Sequence, residues 1–331
     1  MSSIKPIRWA ILGAGHIAHT FAKDFSFVEH AELVAVASRD KSKASTFAIE
    51  YDISQMYNYE ELYKDNQIDI VYIATTHNFH FEHAKACIES GKSVLIEKPV
   101  TINDKQFQIL RELAKDHGVF LMEAIWTYFL PAIQIAKQWI DDGRIGIVKS
   151  IQTNFGFVVE KNLERRMYNP LLAGGSLLDL GVYNVAFATF LMRIYPTLIK
   201  ASGQLFENKV DEQVSIILNY DREKVFATST SSMVSTMDNT ARIFGSDGFI
   251  EIPLFWKMSE VKLYNKEKEL IDTYTDGRSS NGFCYQIQHV TDHLLNGFLE
   301  SDIATHDSTS IVMRIMDEVR NQIGLKYPME I

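Results

Sequence analysis

Cysteine is nearly missing from this chain: Cys87 and Cys284 are the two in 331 residues. They rule out a disulfide framework and offer no metal-type spacing, so a reducing cytoplasm is the simpler expectation. No apolar run approaches the roughly 18 residues of a membrane helix, and no membrane partner is expected. Excess positive charge is also lacking. Lys and Arg number 33 against 42 Asp and Glu, a formal net charge of −9, which argues against nucleic acid or an anionic membrane as partner. Local basic residues can still serve one phosphorylated ligand. The opening residues Met1 to Ile7 are too short and too polar for a signal peptide. Repeats, low-complexity stretches and long linkers are lacking, and a chain of this length is expected to form about two tightly coupled domains.

What is present begins with alternation. Ile7–Leu12, Glu32–Ala37, Ile68–Ala74, Ser93–Ile96 and Val119–Glu123 read as short buried strands. Helical segments separate them, at about 16–25, 44–51, 60–63, 79–90 and 104–117, with Gly91 ending one as a C-cap glycine. Such alternation predicts an α/β fold, a doubly wound parallel sheet with right-handed crossovers. After Trp126 the pattern changes. A helix over Pro131–Asp142 precedes a strand over 147–159, and another runs from Ser176 to about Met192. Strands then follow at Ile199–Phe206, Gln213–Tyr220, Lys224–Ser232, Thr240–Phe244, Phe249–Ile252 and Val261–Tyr264. Consecutive strands with short turns predict a large, open, mostly antiparallel sheet. Two helices, at about 283–298 and 308–324, close the chain. The expected division is a first domain over 1–124 and a second over 125–331, with the last helix packing back on the first domain.

Three short stretches carry chemistry. Gly13-Ala14-Gly15-His16-Ile17-Ala18 leaves a strand and opens a helix, where a dinucleotide pyrophosphate needs a tight turn and free N–H groups. A tight turn with no ligand has the same look. At the end of the second strand an acidic residue would select NAD. Here Ser38 and Arg39 stand instead, and a guanidinium suits the 2′-phosphate of NADP. Asp40 keeps NAD open as the alternative, since a small register change would bring its carboxylate near.

Glu97-Lys98-Pro99 follows the fourth strand at the carboxyl edge, where doubly wound domains bind ligands. Lys98 is placed there for proton transfer, or is merely solvated, and Pro99 admits a cis bond. In Gly174-Gly175-Ser176-Leu177-Leu178-Asp179-Leu180-Gly181-Val182-Tyr183, Asp179 and Tyr183 share a helical face. A nearby ammonium would stabilise the Tyr183 phenolate, whereas an ordinary tyrosine here would be core.

These three stretches, in this order, resemble the glucose–fructose oxidoreductase/inositol dehydrogenase/rhizopine catabolism family, known as Gfo/Idh/MocA. Leu33 to Asp40 and Met122-Glu123-Ala124-Ile125-Trp126 resemble its dimeric dihydrodiol dehydrogenase and NADP-dependent D-xylose dehydrogenase branch. Tyr183 agrees, since many other members carry histidine at the matching position. The resemblance implies a Rossmann domain, a second domain whose open sheet forms a dimer or higher homo-oligomer, and a typically cis Lys98–Pro99 bond. It implies that Lys98 and Tyr183 flank the nicotinamide and that Asp179 lies beside the substrate. In Thr75-Thr76-His77-Asn78-Phe79-His80, the residues Thr75, His77 and His80 match the loop over the nicotinamide ribose. The two histidines are equally readable as helix-start residues bonded to backbone. Thr76 departs from a proline frequent in the family, and Tyr128 from an arginine that lines the site in some branches, which puts transfer of a substrate in doubt.

The expected activity is hydride transfer between nicotinamide and a hydroxyl or carbonyl carbon of a small polyol, sugar or dihydrodiol, with Tyr183 and Lys98 as acid–base pair. Trp126, Tyr128, Phe129, Phe155 and Tyr168 are sugar-site aromatics or core, Trp126 and Phe155 being the substrate candidates. No metal is expected. The rivals are a dinucleotide-sensing regulator without catalysis, and an enzyme holding its cofactor tightly for sugar transfer or glycoside cleavage.

Overall fold

A computed structural model describes residues 5–330, so part of the opening segment on which the leader expectation rests lies outside the described residues. The chain divides into two compact units. Among the described residues the first comprises 5–101, 105–126 and 278–306, and the second 102–104, 127–277 and 307–330.

The first unit is a sandwich of helices on a parallel sheet. In chain order it holds β1 (Ile7–Leu12), α1 (His16–Lys23), β2 (Ala31–Ala37), α2 (Lys41–Glu50), β3 (Gln55–Tyr57), α3 (Tyr59–Lys64) and β4 (Ile70–Ile73). There follow α4 (His80–Glu89), β5 (Ser93–Glu97), α5 (Asp104–His117) and β6 (Leu121–Ala124). The sheet order is β3-β2-β1-β4-β5-β6. Neighbours β1 and β4 run outward into opposite halves, and the crevice at their carboxyl ends is where such sheets take ligands. Every residue of β4 and β5 is buried, which is why both read as short apolar cores, Ile70–Ile73 and Val94–Ile96, without alternation. The short edge strand β3 was not anticipated; its residues are largely exposed and carry no alternation.

The second unit starts with α6 (Pro131–Asp141), whose proline occupies the first turn, where no N–H is needed. After it come β7 (Val148–Gly156), α7 (Val182–Met192), β8 (Leu198–Leu205), β9 (Asp211–Tyr220), β10 (Val225–Ser232), β11 (Ala241–Gly245), β12 (Gly248–Ile252), β13 (Glu260–Asn265) and β14 (Leu270–Thr275). The eight strands lie in the order β14-β13-β12-β11-β7-β10-β9-β8. All pairs are antiparallel except β7 with β10. The edge strand β14 is a further element that sequence pattern had not revealed. Helix α7 is apolar on all sides and packs across β7 and β10. The stretch Pro170–Met192 contains an 18-residue window of mean hydropathy 1.4, long and apolar enough to cross a membrane, contrary to the reading of the sequence, but 89% of that window is buried inside the protein.

Two helices close the chain. α8 (Phe283–Leu295) belongs to the first unit, and α9 (His306–Ile323), from Asp307 on, to the second. The buried carboxylate of Asp24 holds α8 in place by accepting the amides of Asn281, Phe283 and Cys284 at 2.7–3.1 Å. Trp9 of β1 donates its indole N–H to Thr291 at 3.2 Å.

Candidate active site

In the first unit the strand ends converge on Gly13. Its amide donates to Ala37 O at the end of β2 (2.8 Å), and its φ is +108°. A Cβ there would stand 2.7 Å from Ala74 O at the end of β4, so glycine alone lets the three strand ends come this close. Gly15 then enters α1 without a side-chain cap. Gly15 and His16 are exposed, Ala14 and Ile17 half-buried. The result is a concave turn with uncapped helix amides, which fits a dinucleotide pyrophosphate.

Beyond β2, Ser38 is buried and its amide donates to Tyr57 O at 3.2 Å. Arg39 is exposed and pairs with no carboxylate among the described residues. Asp40 is fixed as the N-cap of α2, accepting the Ser42 amide (2.9 Å) and hydroxyl (2.7 Å). The hydroxyl first, and then the amide, hold its carboxyl below the usual range.

The loops after β4 and β5 are joined. His80 has 0% exposure, with Nδ1 2.8 Å from Pro99 O and Nε2 3.2 Å from Thr75 O. Both neighbours are carbonyls, and a neutral ring can donate to just one of them. This gives His80 a bracing role, whereas His77 is buried in the turn before it and Thr75 is half-buried. Glu97 is also buried, accepting the Tyr72 hydroxyl at 2.5 Å and the Lys98 amide at 3.2 Å. Lys98 is half-buried, and its bond to Pro99 is cis, as expected. Glu123, a residue sequence reasoning did not place here, accepts the Val100 amide at 2.9 Å and fixes the far side of this loop. Trp126 stacks on Phe283 of the returning segment, with ring centroids 4.6 Å apart and planes 9° apart.

In the second unit the chemistry gathers around the double glycine. A Cβ on Gly174 would lie 2.4 Å from Arg166 O, and one on Gly175 (φ +116°) 2.0 Å from Asp211 Oδ1. The 166–167 backbone therefore packs directly against the turn and delivers Arg166 to Asp179. Their contact is bidentate, at 2.8 and 3.1 Å. The double glycine is not capped locally. Asp211, from the start of β9, accepts the Ser176 hydroxyl (2.8 Å) and the Leu177 amide (2.6 Å) instead. Burial pushes the Asp211 carboxyl up to about 7.

The expected helix opens as a π-turn, Leu177–Gly181, and becomes α-helical at Val182. Wide turns of this kind recur at functional sites. Asp179 and Tyr183 are each 8% exposed, and Tyr183 meets Phe155 edge-on at 5.6 Å. Phe155 in turn stacks on Trp256 at 4.2 Å. The two other tyrosines singled out as sugar-site aromatics are core: Tyr128 donates to Ala186 O at 2.7 Å, and Tyr168 is buried with Met167, Val210 and Met233. Arg166, Asp211 and Trp256 were missed. The fold also gathers His289, His293 and Asp302, a grouping the sequence had not suggested.

A six-stranded doubly wound sheet with a glycine cradle at its switch point, joined to a unit with a large open sheet, defines a dinucleotide-binding oxidoreductase architecture. Comparisons agree. A model described as an oxidoreductase family with an NAD-binding Rossmann fold matches residues 7–125, and a GFO/IDH/MocA C-terminal domain matches 133–251. Trans-1,2-dihydrobenzene-1,2-diol dehydrogenase of Xenopus tropicalis is 36% identical over 97% of this chain and 99% of its own length. The Mus musculus protein of that name is 35% identical over 98% and 99%. Among solved structures, an aldose–aldose oxidoreductase from Caulobacter crescentus superposes with a TM-score of 0.86 at 24% identity, covering 96% of this chain and 97% of that one. A 3-ketoreductase from Actinomadura kijaniata, solved with NADP and TDP-benzene, gives 0.84 at 23% identity over 96% and 98%. The chain belongs to the Gfo/Idh/MocA oxidoreductase family.

Proposed function

We propose that this protein is an NADP-dependent dehydrogenase acting on a CH–OH carbon of a small polyol, sugar or dihydrodiol, with Tyr183 moving the hydroxyl proton and Lys98 assisting it. The observation that carries this reading is the engagement of Asp179. Arg166 takes both of its oxygens, which commits the carboxylate to positioning and leaves the proton to the phenol four residues on.

The turn at Gly13, Ala14 and Gly15 with the amides of His16 and Ile17 would hold the pyrophosphate. Ser38 and Arg39 would hold the 2′-phosphate, while Thr75, His77 and Glu97 line the nicotinamide end and His80 braces it. When bound, the nicotinamide accepts or returns the hydride. Tyr183 Oη takes the substrate's hydroxyl proton, or donates it in the reverse direction. The Lys98 ammonium favours the phenolate form. The Arg166–Asp179 pair orients substrate hydroxyls, and Trp126 and Phe155 offer apolar faces to its carbon skeleton.

Arg39, unpaired among the described residues, and the capping role of Asp40 support NADP over NAD. Full-length likeness to dihydrodiol dehydrogenases supports a diol among the candidate substrates. Exposed Phe226 and Ile217 on the large sheet support a homodimer through that face, which light scattering would read as twice the 37.8 kDa chain. The two unpaired thiols support a cytoplasmic location, to be checked by fractionation.

The test is NADPH formation across aldoses, inositols, dihydrodiols and sugar acids, followed by Tyr183→Phe and Lys98→Met on the best substrate. Both variants should bind NADPH as the parent does and lose about 10²–10⁴ in turnover. Parental rates would overturn the assignment. Cofactor that co-purifies and never exchanges would favour the tight-cofactor enzyme. Binding without turnover on any substrate would favour the sensor.

A further inference from the structure

Away from the dinucleotide cradle, α8 carries His289 and His293 one turn apart, the i, i+4 spacing that puts two imidazoles on one helical face. Asp302 comes back to them from the loop after the helix, and the ligand atoms of all three lie within 4.8 Å of one another. We propose that His289 Nε2, His293 Nε2 and the Asp302 carboxylate form a binding site for a zinc-class divalent cation, which fastens the returning segment of the first unit.

The hydrogen bonds set the tautomers. His293 Nδ1 lies 2.9 Å from His289 O, and a carbonyl only accepts, so Nδ1 carries the proton and Nε2 presents a lone pair. Ser301 Oγ accepts the Ile303 and Ala304 amides at 3.1 and 3.0 Å, so its own hydrogen turns to His289 Nε2 at 2.8 Å and marks that nitrogen as an acceptor too.

The Nε2 atoms of His289 and His293 thus stand 3.8 and 3.4 Å from one oxygen of Asp302, and a cation would take the His289 lone pair in place of the Ser301 hydrogen. Ligands about 2.0–2.2 Å from a tetrahedral zinc stand roughly 3.3–3.5 Å apart, close to these spacings. Asp302 is 80% exposed and free to make the small adjustment. Two imidazoles and one carboxylate suit zinc better than magnesium or calcium.

The location argues for a structural role. Leu121, the first residue of β6, donates its amide to Leu299 O at 3.3 Å and faces His306 Nε2 through its carbonyl at 2.9 Å. The site is therefore at the amino ends of the strands, opposite the carboxyl edge where Gly13 lies. A cation there would tie the C-terminal turn of α8 to the 299–304 loop.

Tag-free full-length protein, stripped with chelator, should bind one Co²⁺ per chain with the visible absorption of a low-symmetry site, and Zn²⁺ should displace it. Zn²⁺ should raise the thermal midpoint. His293→Ala and Asp302→Asn should each weaken the metal at least tenfold and abolish the thermal shift, since disturbing even the partners of a ligand costs roughly 10–100-fold. Asp302→Asn alters an exposed side chain and tests the site even if the histidine variant fails to fold. Wild-type affinity in Asp302→Asn, or an undiminished zinc-induced shift in it, would overturn the proposal, as would a wild-type chain that takes up no Co²⁺.

Discussion

Replacing Asp211 with asparagine removes an ionisable group from the interior of the second unit while keeping its shape. Asp211 is fully buried, and burial raises its carboxyl from the ordinary 3.8 to about 7, against the opposing pull of the Ser176 hydroxyl and Leu177 amide. Between these two values the native chain holds a proton that the unfolded chain has released. The stability linked to this group is therefore full below about 3.8 and is lost as pH rises through about 7. At about 1.36 kcal/mol per pH unit, that interval corresponds to roughly 4 kcal/mol. Asparagine does not titrate. Its amide oxygen can still accept from Ser176 and Leu177, while its NH₂ would stand against Gly175, costing about 1–3 kcal/mol at every pH. Urea unfolding followed by far-UV circular dichroism, at steps from about pH 4.5 to about pH 8, should show the variant less stable than the parent at the acid end. The gap should close, or reverse, at the alkaline end. Stability curves that stay parallel across this range would show that Asp211 does not titrate as its burial demands.

Gly13→Ala should cost about 1–3 kcal/mol in backbone strain at φ +108°, beyond the clash with Ala74 O, and should abolish dinucleotide binding. Thermal unfolding and NADPH fluorescence titration read the two effects, and unaltered NADPH affinity would contradict the cradle. Arg39→Ala should weaken NADPH at least tenfold while changing NADH little, since one charge-assisted contact to phosphate is worth about 1.5–3 kcal/mol. An equal loss for both cofactors would place the 2′-phosphate elsewhere.

How much of this was legible in the sequence depended on distance along the chain. The turn at Gly13, the strands of the parallel sheet and the Lys98–Pro99 step are local patterns, written in consecutive residues. Strands β3 and β14 were missed because these edge strands bury no residue fully and so show no apolar alternation. Arg166 lies in a charged stretch that reads as a solvated loop, and its pairing with Asp179 depends on Gly174 admitting its backbone. Asp211 looks like a surface acid, yet it caps a turn 34 residues earlier. The His289–His293 spacing was visible, but its third member arrives only when the chain after α8 doubles back.

The return of α8 bears on how the protein is made. A ribosome that has released the first 126 residues has delivered all six strands of the parallel sheet, but neither the indole partner Thr291 nor the amides that satisfy Asp24. Until some 150 further residues emerge, a buried carboxylate and the surface beside Trp9 and Phe21 await their cover. The nascent nucleotide-binding half thus stays unfinished throughout synthesis of the other half, and a fragment cut after Trp126 would inherit that incompleteness permanently.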